Sequence, residues 1–388
     1  MTGEGFIRRR ADALALVVLT LLGVALVAPQ LGPHVRAAPD VLFYEAQKRE
    51  VQGTDAETAR AEVFNSPLAA PLIAMERDLA PADRRVDNPA WREYSAQFFR
   101  RRWTVPVLAA ALDPVFGDHS IEIPSLLGWL ALGPLLYLLL RLRFAPVFSL
   151  AASMICVVLP PMFEFGPAAT TDVFCLSLVT AALISLFKLR DGGAGWFAAW
   201  IALAFLIAFT RDLTPVLFGT ALALALAERS RRLAAAAAAA ALATVPALLA
   251  FGASLQTQLA YVLNVNRIPD DTSWGWIVDR YPGAVGHVIK SDLTYPLRHA
   301  VPVLTIALGA LIVVGVVRLY ATAKRRDPLL DIARAAGVFG LVTVFASPND
   351  TFLRLELILV PTVAVALAGL AEWALEAYRR REPAPATA

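Results

Sequence analysis

The sequence predicts an all-α, polytopic integral membrane protein of about ten transmembrane helices with a helical first extracytoplasmic loop. Three observations predict it. Hydrophobic residues make up 58% and charged residues 17% of the 388 residues, too apolar for a soluble globule of this size. Apolar windows of about twenty residues, the length that crosses a hydrocarbon core, recur along the chain. Basic clusters fall in every second connection, the pattern that the positive-inside rule assigns to cytoplasmic loops.

The first window follows Arg8, Arg9 and Arg10 and runs over 11–31; its length suits a retained signal anchor better than a cleaved signal peptide. The remaining windows lie near 123–140, 144–162, 171–187, 195–210, 213–227, 233–252, 301–320, 332–347 and 353–375. Between them, Arg141/Arg143, Lys188/Arg190, Arg229/Arg231/Arg232, Lys324/Arg325/Arg326 and Arg379/Arg380/Arg381 occupy alternate gaps. The N- and C-termini are therefore expected on the cytoplasmic side of the cytoplasmic membrane, and the chain is read as one transmembrane domain over 1–388. Residues 233–242, almost all alanine, read as a helix whose small side chains permit close packing. The tail, 382–388, reads as disordered.

The first outside segment, 32–122, is too long for a plain connection and must carry structure of its own. A helix is expected from Asp40, and a capping box over Thr54 to Glu57 opens another after the break at Gly53. Pro67–Leu79 is a further helical candidate. Trp91–Leu112, with Arg100, Arg101 and Arg102 beside Trp103, reads as a helix lying in the membrane interface. A second long extracytoplasmic loop, 253–300, mixes Trp274, Trp276 and Tyr281 with Arg267, Asp279, His287 and Lys290, again an interfacial composition.

Ionisable groups of the helical part gather toward the outer face: Glu164, Asp172, Arg211, Asp212, Arg354 and Glu356, opposite Asp40 and Glu45 from the loop. The middles of the spans are almost free of charge, whereas an ion-coupled transporter usually keeps charge near the midplane. A carboxylate just beyond a membrane anchor is placed to serve as base or metal ligand for a lipid-carried substrate. Cys156 and Cys175 both fall inside apolar windows and imply no disulfide framework. His287 and His299 have no cysteine near them and make a poor metal site. No phosphate-binding glycine loop, Ser-His-Asp constellation or nucleic-acid motif is present.

Several short motifs carry a resemblance. An early loop Asp40 is followed by Tyr44, and Arg102-Trp103-Thr104-Val105-Pro106 precedes the second span. Thr170-Thr171-Asp172 opens a later helix, Thr210-Arg211-Asp212-Leu213-Thr214-Pro215 joins two more, and Arg354 begins a late one. Together these resemble the membrane-embedded C-type (GT-C) glycosyltransferases, the superfamily of protein O-mannosyltransferases and the lipid A aminoarabinose transferase. The resemblance implies an enzyme that moves a sugar from a polyprenyl-phosphate donor to an acceptor at the outer face of the membrane. It implies Asp40 as general base or metal ligand, Glu164 or Asp172 as the second acidic group, and Arg354 or Arg211 against the donor phosphate. Tyr44, Lys290 and Arg267 complete the expected substrate-binding set, and a divalent metal ion is the one cofactor it admits. Expected partners are the lipid-linked sugar and membrane lipid, with no nucleic acid.

Each residue also has a plainer reading. Asp40 and Asp172 suit helix N-caps, Arg211 and Asp212 suit a local pair, and Arg354 with Glu356 suits interfacial anchoring. The alternative function is correspondingly a non-catalytic membrane protein, a transporter of a lipid-linked or small solute, or an assembly partner on the same scaffold.

Overall fold

The computed structural model describes residues 3–31, 39–79, 87–166, 168, 170–251, 254–263, 268–269, 271–295, 302–323, 326–348 and 356–381. Among these the chain is helical and carries no strand. The expected tail 382–388 lies outside the described residues.

The first helix is α1 (Gly3–Val27), and the first long loop folds into five more: α2 (Asp40–Val51), α3 (Ala56–Phe64), α4 (Ala69–Leu79), α5 (Pro89–Phe99) and α6 (Thr104–Phe116). The helical bundle then continues through α7 (Ile123–Arg141), α8 (Pro146–Val157), α9 (Pro160–Phe165), α10 (Asp172–Asp191), α11 (Ala194–Ala208), α12 (Thr214–Glu228) and α13 (Arg231–Phe251). The second long loop holds α14 (Leu255–Leu263) and α15 (Trp274–Thr294). The chain closes with α16 (Pro302–Ala321), α17 (Pro328–Ala346) and α18 (Val360–Arg379).

Seven described helical segments, α1, α7, α10, α13, α16, α17 and Glu356–Arg379, are long and apolar enough to cross a membrane. This is a helical, multi-pass membrane architecture. The three other expected spans coincide with α8, α11 and α12, which have 12, 15 and 15 residues. At 1.5 Å per residue these helices measure about 18 to 23 Å, short of a hydrocarbon core of about 30 Å.

Small residues set the helix spacing. Gly128 lets α7 meet α10 so closely that a methyl group built there would lie 2.5 Å from Cα of Phe174. The Ser177 hydroxyl donates to Gly128 O in the same contact. The alanine run behaves as expected: Ala236, Ala237 and Ala240 are buried in α13, where Trp200 of α11 donates its indole N–H to Ala236 O at 2.8 Å. At the other end of α7, Arg141 pairs with Asp12 at 2.7 Å and fixes α1 to the bundle.

The loop helices depart from expectation in three places. Asp55, not Thr54, caps α3, its carboxylate accepting from Thr58 N–H at 2.9 Å after Gly53 turns the chain with φ of 102°. Pro39 occupies the cap position of α2, so Asp40 is the first residue inside the helix. The segment 91–112 is two helices rather than one. The chain breaks at Arg100–Trp103, where Thr104 turns to the bundle: its N–H donates to Phe209 O and its hydroxyl to Leu206 O, both at 3.1 Å. That break carries the arginines to the ends of α10 and α11.

A second core lies inside the loop module. Phe43 of α2 stacks on Phe99 of α5 with centroids 4.4 Å apart, and Phe64 closes on it edge-on at 5.2 Å. Lys48, almost fully buried, binds Asp113 at 2.9 Å and Glu45 at 3.0 Å and so locks α2 to α6. The later loop joins the same body, since Tyr261 of α14 stacks on Phe98 at 4.1 Å.

Candidate functional site at the loop–bundle junction

The junction of the loop module with α10 and α11 gathers Asp40, Arg101, Arg102, Asp172, Arg211 and Asp212. Tyr44 is fully buried on α2. Its hydroxyl receives an N–H from Arg102 Nη1 at 3.2 Å and lies 3.2 Å from the hydroxyl of buried Thr171. The guanidinium can only donate, so the phenol oxygen is the acceptor of that bond, while either hydroxyl can donate in the Tyr44–Thr171 contact. Phe99 supports the Arg102 guanidinium from below, with its ring centroid 4.8 Å from Cζ.

Two ion pairs flank this chain of contacts. Arg211 pairs with Asp172, the buried first residue of α10. Arg101 pairs with Asp212 and also reaches Gln258 Oε1 of α14 at 3.4 Å. The expectation of a local Arg211–Asp212 pair is therefore corrected: each partner crosses to another segment, Arg211 to Asp172 and Asp212 to Arg101. Asp172 likewise does not serve as a simple cap, for Thr171 holds the cap position and the Asp172 carboxylate is spent on Arg211.

Three guanidinium groups in one buried place are costly unless carboxylates balance them. Burial, with Arg102 and Arg211 close by, pushes Arg101 down to about 9. Burial also works against Arg102, but the fields of Tyr44, Asp40 and Asp172 outweigh it and raise that group further. Burial raises Tyr44, against the pull of Arg102, so its phenol stays protonated at neutral pH. Asp40 and Asp172 thus act on one guanidinium, with Tyr44 and Thr171 between them. Buried polar atoms of this cluster that lack a hydrogen-bond partner among the described residues include Arg101 Nε, Arg102 Nε and Thr170 Oγ1.

Of the expected site residues, Asp40, Tyr44, Asp172 and Arg211 belong to this cluster. Lys290 is exposed on α15 and makes no described hydrogen bond or ion pair with it. Arg267 and Arg354 lie outside the described residues, as does the side chain of Glu164, whose backbone is in α9. Arg101 and Arg102 are the residues to which sequence reasoning gives no site role, although Arg102 heads one of the motifs that carry the resemblance. Their signal was present as three consecutive arginines, but beside Trp103 it takes the form of an interfacial anchor.

A divalent cation does not fit this donor set. Among the described residues no three His, Cys, Asp or Glu side chains converge, and a cation placed between Asp40 and Asp172 would face Arg102 and Arg211. An anion suits the unpartnered groups better: Arg101 Nε, Arg102 Nε and the Thr170 hydroxyl are all able to donate to it.

No protein-family model matches this chain, and no curated protein matches it.

Proposed function

We propose that this chain is a membrane-embedded glycosyltransferase that moves a sugar from a polyprenyl-phosphate donor to an acceptor at the outer face of the cytoplasmic membrane. The observation that carries the reading is the pair of unsatisfied buried donors on Arg101 and Arg102, set beside the carboxylate of Asp40. A lipid phosphate at an interface needs cations, and planar guanidinium groups meet phosphate oxygens two at a time. The resemblance to C-type glycosyltransferases, from Asp40 and Tyr44 through Thr171-Asp172 to Arg211, supports the same reading.

In this reaction Asp40 takes the proton of the acceptor hydroxyl, whose oxygen attacks the anomeric carbon of the sugar. The bond from that carbon to the phosphate oxygen breaks with inversion, and the electron pair leaves with the phosphate. Arg102 and Arg101 stabilise the charge that develops there, Arg211 holds Asp172 in place, and Tyr44 with Thr171 fixes Arg102. In the same reading α8, α11 and α12 join the seven longer helices as spans, giving ten, with both termini inside.

The ion pair between Asp172 and Arg211 favours a second reading, a non-catalytic scaffold or transporter in which the cluster is a structural lock. Membranes that contain the intact chain, supplied with a panel of labelled polyprenyl-phosphate sugars, separate the two. Transfer that is lost in Asp40→Asn supports the enzyme; absence of transfer with every donor, or full transfer in Asp40→Asn, favours the scaffold.

A further inference from the structure

At the opposite end of α7 from the cluster, a cavity of about 210 Å³ opens between α16, α17 and α18. Its lining combines both signs of charge with an apolar wall. Arg143, Arg318 and Arg326 face Asp327, Glu372 and Glu376, while Leu319, Val365 and Leu370 close the inner side. Arg143 bridges Asp327 at 2.8 Å and Glu372 at 2.5 Å, and so joins the α7–α8 turn to α17 and α18. Arg318 lies over the Trp373 ring, with Cζ 4.4 Å from the centroid. Arg326 reaches across to Ala227 O at 3.3 Å.

We infer that this cavity holds the headgroup of a zwitterionic glycerophospholipid with a primary ammonium, of the phosphatidylethanolamine type, drawn from the leaflet at that end of the bundle. Arginine pockets between spans are a usual place for lipid phosphates. Among the described lining residues three carboxylates offset the three arginines, and Glu376 has only a long, exposed contact of 3.8 Å with Arg380, so a headgroup that carries both signs fits better than an anionic one. Its phosphate meets Arg318 and Arg326, and its ammonium meets Glu372 and Glu376. The guanidinium of Arg318 already covers the Trp373 face that a quaternary ammonium would need, which disfavours choline. An –NH3+ group, with three donors, suits carboxylates instead. The acyl chains have a track beside the headgroup: Val313, Val314 and Val317 are exposed on α16, whose apolar window is only 11% buried in the protein. This inference is independent of the reaction proposed above.

The test is native mass spectrometry of the full chain released from nanodiscs that contain equal amounts of phosphatidylethanolamine, phosphatidylcholine and phosphatidylglycerol. The expected result is retained ethanolamine lipid at about tenfold over each of the others, a discrimination of about 1.4 kcal/mol. Glu376→Gln should erase the preference over choline, and Arg318→Ala should lower retention of all three lipids. Equal retention of the three by the unaltered chain would overturn the inference without recourse to any variant. Displacement of the bound lipid by millimolar inorganic phosphate or glycerophosphoethanolamine would also overturn it, since the site would then belong to a soluble phosphate.

Discussion

Arg102 donates to the hydroxyl of Tyr44 at 3.2 Å, and Tyr44 meets Thr171 at the same distance. One phenol therefore joins the first long loop to the start of α10. Tyr44→Phe removes both contacts while the ring keeps its place against Phe99. The hydroxyl of Thr171 and an N–H of Arg102 would be left buried and unsatisfied, at a cost of about 1 to 3 kcal/mol. Thermal unfolding in detergent should show a lower Tm for Tyr44→Phe. An unchanged Tm would mean that water replaces the phenol and the junction is wet.

Glu45 gives a pH dependence of known sign. Its carboxyl is raised above the ordinary 4.5, first by burial, with Lys48 pulling the other way. Just above pH 4.5 the folded chain thus holds a proton that the unfolded chain has released. The stability contributed by this group is full below about 4.5 and declines as pH rises through the folded value. Asp113 acts oppositely, since its hydrogen bond from Lys48 lowers it, and its contribution is lost as pH falls below 3.8. The two windows do not overlap. Glu45→Gln should therefore flatten the decline in Tm between pH 4.5 and 7 and leave the acid limb alone. A parallel shift of the whole curve would contradict this assignment.

Gly128 tests how closely α7 and α10 must pack. Alanine is the better helix former by up to about 1 kcal/mol, but its methyl group would press on the backbone of Phe174 at 2.5 Å, where no side chain can move aside. Overpacking of this kind costs about 1 to 3 kcal/mol, so Gly128→Ala should lower Tm and loosen the Asp172 end of α10. Gly309, where an added methyl group meets nothing within 4 Å, is the control and should tolerate alanine. Equal Tm values for the two variants would contradict the close approach.

Membrane orientation is open to a direct check. Reporter fusions after Arg232 and after Arg326 should score cytoplasmic, and fusions within 274–294 should score outside. A reversed pair would put the Asp40–Asp172 end and the Arg143 end in the wrong compartments.

The helices were legible in the sequence because a hydrocarbon core demands long apolar runs, and such runs stand out in any window. The polar breaks at Thr170-Thr171-Asp172 and Thr210-Arg211-Asp212 stood out for the same reason. Which acid meets which arginine was not legible. Arg101 and Asp212 are 111 residues apart, and only the break before Thr104 together with the bond to Phe209 O brings them side by side. The cap of α3 lies one residue beyond the expected Thr54, because Thr54 and Asp55 are both good caps and sequence alone does not rank them. The shortness of α8 was hidden as well, since hydropathy continues through Val158 and Leu159 while the helix stops at Val157, whereas α11 and α12 match the short windows 195–210 and 213–227 to within two residues at each end.

The central claim is that the Arg101–Arg102 cluster accepts the phosphate of a polyprenyl lipid. Its most direct test is the thermal shift given by polyprenyl phosphate, compared with the same polyprenol lacking phosphate. At a hundredfold excess over Kd a ligand specific for the folded state adds about 2.7 kcal/mol. The phosphate should therefore raise Tm by several degrees in the unaltered chain, the bare alcohol much less, and Arg102→Ala should abolish the difference between them. Equal shifts from the two lipids, or a phosphate shift that survives in Arg102→Ala, would contradict the account.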